Sequence, residues 1–551
     1  METSGTGSFS SPSESGSKPL RWKSGYLPAA ILLLAFVLRL TGLGVKPPHF
    51  DEGVNGWFVD EITKTGFYHY DPGNFHGPLH FYLLFLAQTL FGRHIWALRL
   101  PVALISIGCV AMVFAFRRYI ERRACVLTAL AMAVSPGMVF YGRYAIHETE
   151  LVFFMMLAVW GGAGLLSFGK SAETPAEPVV TVPAKSPVSY LWAFGLGIAG
   201  MIVTKETYAI HLIAFLLAFP ALWILEWIFP SSGPQFGWFP WRRHQDDACN
   251  AALVSLGVIL FFYTACFLDW SSLPGLWQTF QKWGATGTSG ESGHEKAWYY
   301  WLELLLQYEW CALLGLVATI WFLWPRSNRF IRYLAIAGMG ALVAYSIIAY
   351  KTPWCILAIS WPFFFVFGAA FDRLASRFQA RFVIPVAALV IAASFIWSLR
   401  LNFRHFTDEQ EPYVYVQTTQ EIRKLLDPLR WLTAQDPVYY HISGHVLIPM
   451  QESHPIPWLL GDFTHVDYLD AKNPPPQMDA DFLLVDDSIV SDVEERLSEP
   501  YFKESFLLRG DSGQFVTLYL RAGTFARYFT DRTPEFSPPA VPSKLKQETD
   551  Q

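Results

Sequence analysis

Long apolar runs recur along the first 400 residues, each about the length a helix needs to cross a bilayer, with short charged loops between them. Such a chain has few options. In hydrocarbon every backbone amide needs an internal partner, so the runs must fold as helices. Spans are expected at about 26–44, 97–116, 124–142, 147–168, 188–206, 207–228, 248–268, 305–324, 332–350, 354–371 and 382–400, about eleven in all. A further run, Leu79–Phe91, has only about 13 residues and reads as an interfacial or re-entrant helix. Only 16% of residues are charged, where a soluble chain carries about a quarter. The net charge of −5 gives no footing for nucleic acid.

Charge orients the spans. With a cytoplasmic N-terminus, every second loop is basic: Lys18, Arg21 and Lys23; Arg117, Arg118, Arg122 and Arg123; Lys170 and Lys185; Arg242 and Arg243; Arg326, Arg329 and Arg332; Arg373, Arg377 and Arg381. The other loops hold fewer basic residues, often one. An odd span count then places the chain after Arg400 outside a cytoplasmic (inner) membrane. The first apolar run is followed by no small-residue cleavage site, so it reads as a retained anchor. Residues 1–25 are Ser/Gly-rich and read as a disordered tail. Residues 401–530 alternate strand-like runs (Tyr413–Gln417, Val438–Ile442, Phe482–Val485, Phe515–Leu520) with helical patterns (Thr419–Thr433, Ile489–Leu497). That pattern predicts a small extracytoplasmic α/β domain with a partly parallel sheet. Residues 531–551, rich in Pro, Ser and charge, read as disordered. The six cysteines show no CxxC spacing and read as packing residues.

The polar residues at the outer helix ends fall in five segments. They are His49, Asp51 and Glu52; His76 and His80; Arg143, His147, Glu148 and Glu150; Lys205 and Glu206; and Lys351. Each has an ordinary reading. A loop carboxylate is solvated, Lys205–Glu206 anchors at the interface, and Arg143 pairs with Glu148 or Glu150. His76 and His80 share a helical face but lack a third ligand, so no metal and no cofactor is expected. Together they have a chemical reading, since charge bordering hydrocarbon is costly unless paired or facing a wet cavity. Two carboxylates supply a base for a hydroxyl and a partner that orients it. Lysine and arginine at the same depth hold a phosphate. With apolar grooves beside it, that phosphate belongs to a lipid, and the parts suit transfer from a lipid-phosphate donor to a hydroxyl acceptor.

The ordered motifs resemble those of the GT-C membrane glycosyltransferases: the protein O-mannosyltransferase and aminoarabinose-transferase superfamily (glycosyltransferase family 39-like). Nearest is the bacterial and archaeal branch of flippase-activity-associated proteins. The resemblance covers about residues 26–400. It rests on Asp51-Glu52, His76-Gly-Pro-Leu-His80, Arg99-Leu-Pro-Val-Ala-Leu, Gly142-Arg143-Tyr-Ala-Ile-His-Glu148, Lys205-Glu206 and Lys351-Thr-Pro-Trp354. It implies a GT-C-like helical membrane domain, a polyprenyl-phosphate-linked sugar donor, and metal-independent inverting transfer. The implied acceptor is a hydroxyl of a glycan, lipid or protein. On this analogy Asp51 is the base or the acid that orients the acceptor, with Glu52 beside it, and Glu148 stands where relatives usually carry Asp. Lys205, Arg99 and Lys351 are donor-phosphate candidates, with Arg143, His76, His80 and Glu206 around the substrate. His-Gly-Pro replaces the commoner His-Pro-Pro, and the tail is not a β-trefoil, so a protein acceptor is not implied. Two other classes compete: a flippase of lipid-linked sugars, and a silent envelope-assembly scaffold. A transporter places polar residues near the midplane. Here they crowd one face, as an enzyme needs.

Overall fold

The computed structural model describes residues 26–166, 187–231, 241–289, 293–324, 327–470 and 474–538. The expected N-terminal tail, Lys170, Lys185, Arg326 and the chain from 539 onward lie outside them. The helices are α1 (Tyr26–Leu40), α2 (Phe50–Thr65), α3 (Leu79–Phe91), α4 (Ile95–Val113), α5 (Arg122–Val134), α6 (Pro136–Phe140), α7 (Glu148–Leu165), α8 (Pro187–Thr204) and α9 (Tyr208–Ile228). They continue as α10 (Gln245–Tyr263), α11 (Gly275–Ser289), α12 (Tyr300–Gln307), α13 (Trp310–Phe322), α14 (Arg329–Ile347), α15 (Ile356–Phe378) and α16 (Ala380–Phe403). This is a multi-pass membrane domain. A helix stands at each expected span.

Among the described residues, seven helices are long and apolar enough to cross a membrane, or nine if the bent pairs α5–α6 and α12–α13 each count as one span. α1 and α8 are apolar but shorter than that test requires. α1 stops at Leu40 because the chain turns at Gly42, where φ is +60°, a region glycine enters freely. Arg143 then binds the freed carbonyls of Leu38 (2.9 Å), Thr41 (2.7 Å) and Gly42 (3.1 Å). α15, the most buried of the seven, forms the centre and packs on α5, α13 and α14. Its contact with α13 depends on Gly315, where a Cβ would lie 1.9 Å from the Phe363 carbonyl oxygen. Gly315→Ala is expected to cost about 1–3 kcal/mol by overpacking, seen as a lower thermal unfolding temperature.

The tail folds on a mixed five-stranded sheet. Its strands are β1 (Ser443–Leu447), β2 (His465–Tyr468), β3 (Phe482–Asp486), β4 (Tyr501–Arg509) and β5 (Gln514–Arg521), in the order β2-β1-β3-β5-β4. β1 pairs in parallel with β2 and β3, whereas β5 runs antiparallel to both β3 and β4. Helix α17 (Arg423–Gln435) covers one face through Leu425, Leu429 and Leu432. Two expected strands are displaced. Pro437–His441 is a 3-10 turn, because Asp436 caps it by accepting from Val438 N–H, and pairing begins only at Ser443. Tyr413–Gln417 joins no sheet. It runs along the membrane domain, with the Tyr413 hydroxyl on Glu309 (3.2 Å) and Gln417 bridged to His49. β2 and β4 escaped the sequence reading. Packing also continues beyond 530, since Phe536 pairs with Tyr501.

Candidate active site

α2 begins in Pro47-Pro48-His49-Phe50-Asp51-Glu52. His49 is its N-cap, with Nδ1 accepting from Asp51 N–H at 3.0 Å, and Glu52 closes a capping box by accepting from His49 N–H at 2.8 Å. Successive helical residues point about 100° apart, so the two acids face different surroundings. Glu52 turns inward. It accepts from Arg99 Nε (2.7 Å) and Nη2 (2.6 Å) and from Ala145 N–H (2.8 Å). Burial alone would raise its carboxyl. The charge and hydrogen bonds of Arg99, with Lys46 and the His49 amide, outweigh that and hold it down at about 2. The remaining Arg99 donors go to the carbonyls of Leu43, Lys46 and Pro47 at 2.9–3.0 Å.

Asp51 turns outward. Its side chain is 39% exposed, and His49 Nδ1 lies 3.9 Å from its carboxylate. It lines a cavity of about 460 Å³, shared with Asn55, His76, His147, Glu148, Lys205 and Glu206. The aromatic wall is Trp283, Tyr345, Tyr350 and Trp354. Helices α2, α7 and α9, and the 3-10 turn leading into α15, all begin at this wall. Helix N-termini carry partial positive charge, set here against the carboxylates of Asp51, Glu148 and Glu206 in the same cavity.

In the same cavity, Lys205 and Glu148 form a short, buried ion pair. His76 Nδ1 sits 2.9 Å from Glu206. The rings of His76, His147 and His80 lie in a row, tilted to one another, with centroids 4.5 and 4.0 Å apart, and His80 ends on Glu150 at 2.8 Å. Among the described residues no group of three or more His, Cys, Asp or Glu side chains is placed to hold a metal ion. Gly77 explains the His-Gly-Pro sequence. Its N–H donates to Thr204 (3.0 Å), and a Cβ there would lie 2.2 Å from the Val203 oxygen. Proline would lose the bond and clash.

ArnT from Cupriavidus metallidurans, bound to undecaprenyl phosphate, matches 91% of this chain and 99% of its own with a TM-score of 0.59 at 14% identity. Its apo state gives 0.55 over 90% and 98%, also at 14%. The chain has the GT-C fold. A family described as dolichyl-phosphate-mannose-protein mannosyltransferase matches residues 75–172. That stretch holds His76, His80, Arg99, Arg143 and Glu148. The curated Bacillus subtilis (strain 168) protein YkcB, which carries a provisional mannosyltransferase name, is 25% identical over 142 residues. That match spans 24% of this chain and about a fifth (20%) of YkcB.

Within this GT-C frame the sequence candidates divide. Asp51, His76, Glu148, Lys205 and Glu206 meet on the cavity wall. Glu52, His80, Arg99 and Arg143 lie behind it, their polar groups directed to protein partners. Lys351 stands next to the wall residues Tyr350 and Thr352, and its ammonium caps the carbonyls of Ile348 and Lys296. Asn55, Trp283, Tyr345 and Tyr350 complete the wall without a sequence signal, since lone aromatics near an interface are commonplace.

Proposed function

We propose that the protein is a glycosyltransferase that moves a sugar from a polyprenyl-phosphate carrier to an acceptor hydroxyl, on the extracytoplasmic face. The observation that carries this reading is one cavity lined both by Asp51, whose carboxylate has no hydrogen-bond partner among the described residues, and by a buried lysine, Lys205. Asp51 accepts the proton of the acceptor hydroxyl as its oxygen attacks the anomeric carbon. The bond from that carbon to the phosphate oxygen breaks on the opposite side, with inversion, and its electron pair leaves with the lipid phosphate. Lys205 exchanges Glu148 for that phosphate, and the four helix starts add to the stabilisation. Glu206 and His76 border the sugar. Glu52, Arg99 and Arg143 are the frame that aims these groups.

The test is transfer by the purified protein in liposomes, from a panel of labelled polyprenyl-phosphate sugars to cell-envelope extract. Turnover is expected with at least one donor. Lys205→Gln is expected to lower kcat/KM for that donor by roughly tenfold or more, the worth of a hydrogen bond to a charged group. No transfer from any donor, with scrambling of labelled lipid between leaflets, would replace the enzyme reading with a flippase.

A further inference from the structure

The catalytic helix is held on two sides. From the membrane domain it is held by Glu52 on Arg99. From the tail it is held along its length by the segment around helix α18 (Ile456–Leu459) and by the strand-like run before α17. Both holds are close. At Gly53 a Cβ would lie 2.4 Å from Pro455 Cα, and at Gly56 it would lie 2.5 Å from the Trp458 ring. Only glycine lets the tail backbone approach this near. Farther along, Arg93 forks onto Asp60 (2.7 and 3.1 Å) and binds the Trp458 carbonyl, with Asp462 at 3.5 Å.

The N-terminus of α2 is tied in the same way. His49 Nδ1 accepts from Asp51 N–H, so that nitrogen carries no proton. The proton is on Nε2, which donates to the Tyr415 carbonyl at 2.6 Å. Gln417 pairs with His49 through the backbone and donates to the Pro47 carbonyl at 3.0 Å, while its own oxygen accepts from the Tyr144 hydroxyl at 2.5 Å. The imidazole therefore bridges the tail backbone to the amide of the residue that carries the proposed base.

We propose that the C-terminal domain is a positioning clamp on α2, and that His49 is the positioning residue through which it sets the direction of Asp51. The tail is then part of the catalytic apparatus without touching the reacting atoms. This rests on Asp51 being the base, and the test separates the two ideas.

The full chain in nanodiscs would be compared as wild type, His49→Asn, His49→Ala, Gly53→Ala and Gly257→Ala. Asparagine caps a helix well but is too short to reach Tyr415, so it keeps the cap and cuts the tie. Gly257 meets nothing within 4 Å and serves as the control. Two readouts are taken: donor turnover, and hydrogen–deuterium exchange across residues 50–65. His49→Asn and Gly53→Ala are expected to lower kcat by about 100-fold, the scale of a small misplacement, with donor KM kept. The unfolding temperature should hold in His49→Asn and fall in Gly53→Ala, whose added Cβ overpacks against Pro455. Exchange in the first turns of α2 should rise about tenfold, as local opening becomes easier. Gly257→Ala should match wild type in both. Wild-type turnover and exchange in His49→Asn would overturn the clamp, as would lost turnover with unchanged exchange. Raised exchange in a protein whose wild type transfers no sugar would uphold the clamp and sink the glycosyltransferase reading.

Discussion

Asp51→Asn is expected to abolish transfer, lowering kcat by about 10²–10⁴-fold, the usual worth of a positioned general base. The change is nearly isosteric, and the cap that starts α2 uses the Asp51 amide and the His49 ring, neither of which it alters. Glu52, the buried member of the pair, keeps its partners. The variant should therefore unfold close to the wild-type temperature, losing at most the roughly 0.3–1 kcal/mol that an acid contributes in a first turn. Steady-state transfer beside a thermal melt reads both numbers. Substantial turnover by the variant would move the base to Glu206 or Glu148, which share the cavity.

The largest stability effect is expected from Arg99→Ala. It strips the buried carboxylate of Glu52 of its bidentate partner, takes the Arg99 donor from the Leu43 and Lys46 carbonyls, and leaves Pro47 with Gln417 alone. Breaking a buried pair in this way costs about 3–5 kcal/mol. Four of the six cysteines are buried, at positions 109, 125, 311 and 355, so a thiol-reactive fluorophore reports unfolding directly. Glu52→Gln with Arg99 intact should be milder, because the hydrogen-bond acceptor survives. The same pair gives the protein an acid limit. Glu52 sits at about 2 in the fold against an ordinary 4.5, so the unfolded chain binds its proton first as pH falls. The pair's contribution is whole above about pH 4.5 and drains away between there and about 2. Melts taken down that range should converge for wild type and Glu52→Gln. A constant gap between them would remove Glu52 from the acid response.

The spans were legible because hydropathy is local. Each apolar run carries its own instruction to form a helix, whatever its neighbours do. Asp51 and Lys205 were legible for a related reason, since charge at the end of an apolar run stands out. What Arg99 and Arg143 do was not legible. Apart from Glu52 on Arg99, their partners are carbonyls of Leu38 to Pro47, released where α1 ends, and a carbonyl leaves no mark in a sequence. Helix α2 was missed because Phe50–Thr65 is polar and holds glycines at 53 and 56. Its stability comes from docking, and the glycines that weaken it as a helix are what the docking requires. His49 went unrecognised as a cap because its work depends on Tyr415, 366 residues away. In the tail, Val438–Ile442 has the right composition for a strand, but Asp436 and Pro437 set a turn first.

The division between frame and wall bears on how such a protein changes its substrate. The arginines and Glu52 are bonded within the protein, so the scaffold is assembled before any lipid arrives. Beside the charged groups of the wall stand Trp283, Tyr345, Tyr350 and Trp354, none of which carries charge. Trp283 and Tyr350 are the positions where such a change would be cheapest, because Tyr345 is buried against His211 and Trp354 packs on His49. Mutations behind the wall have no such freedom.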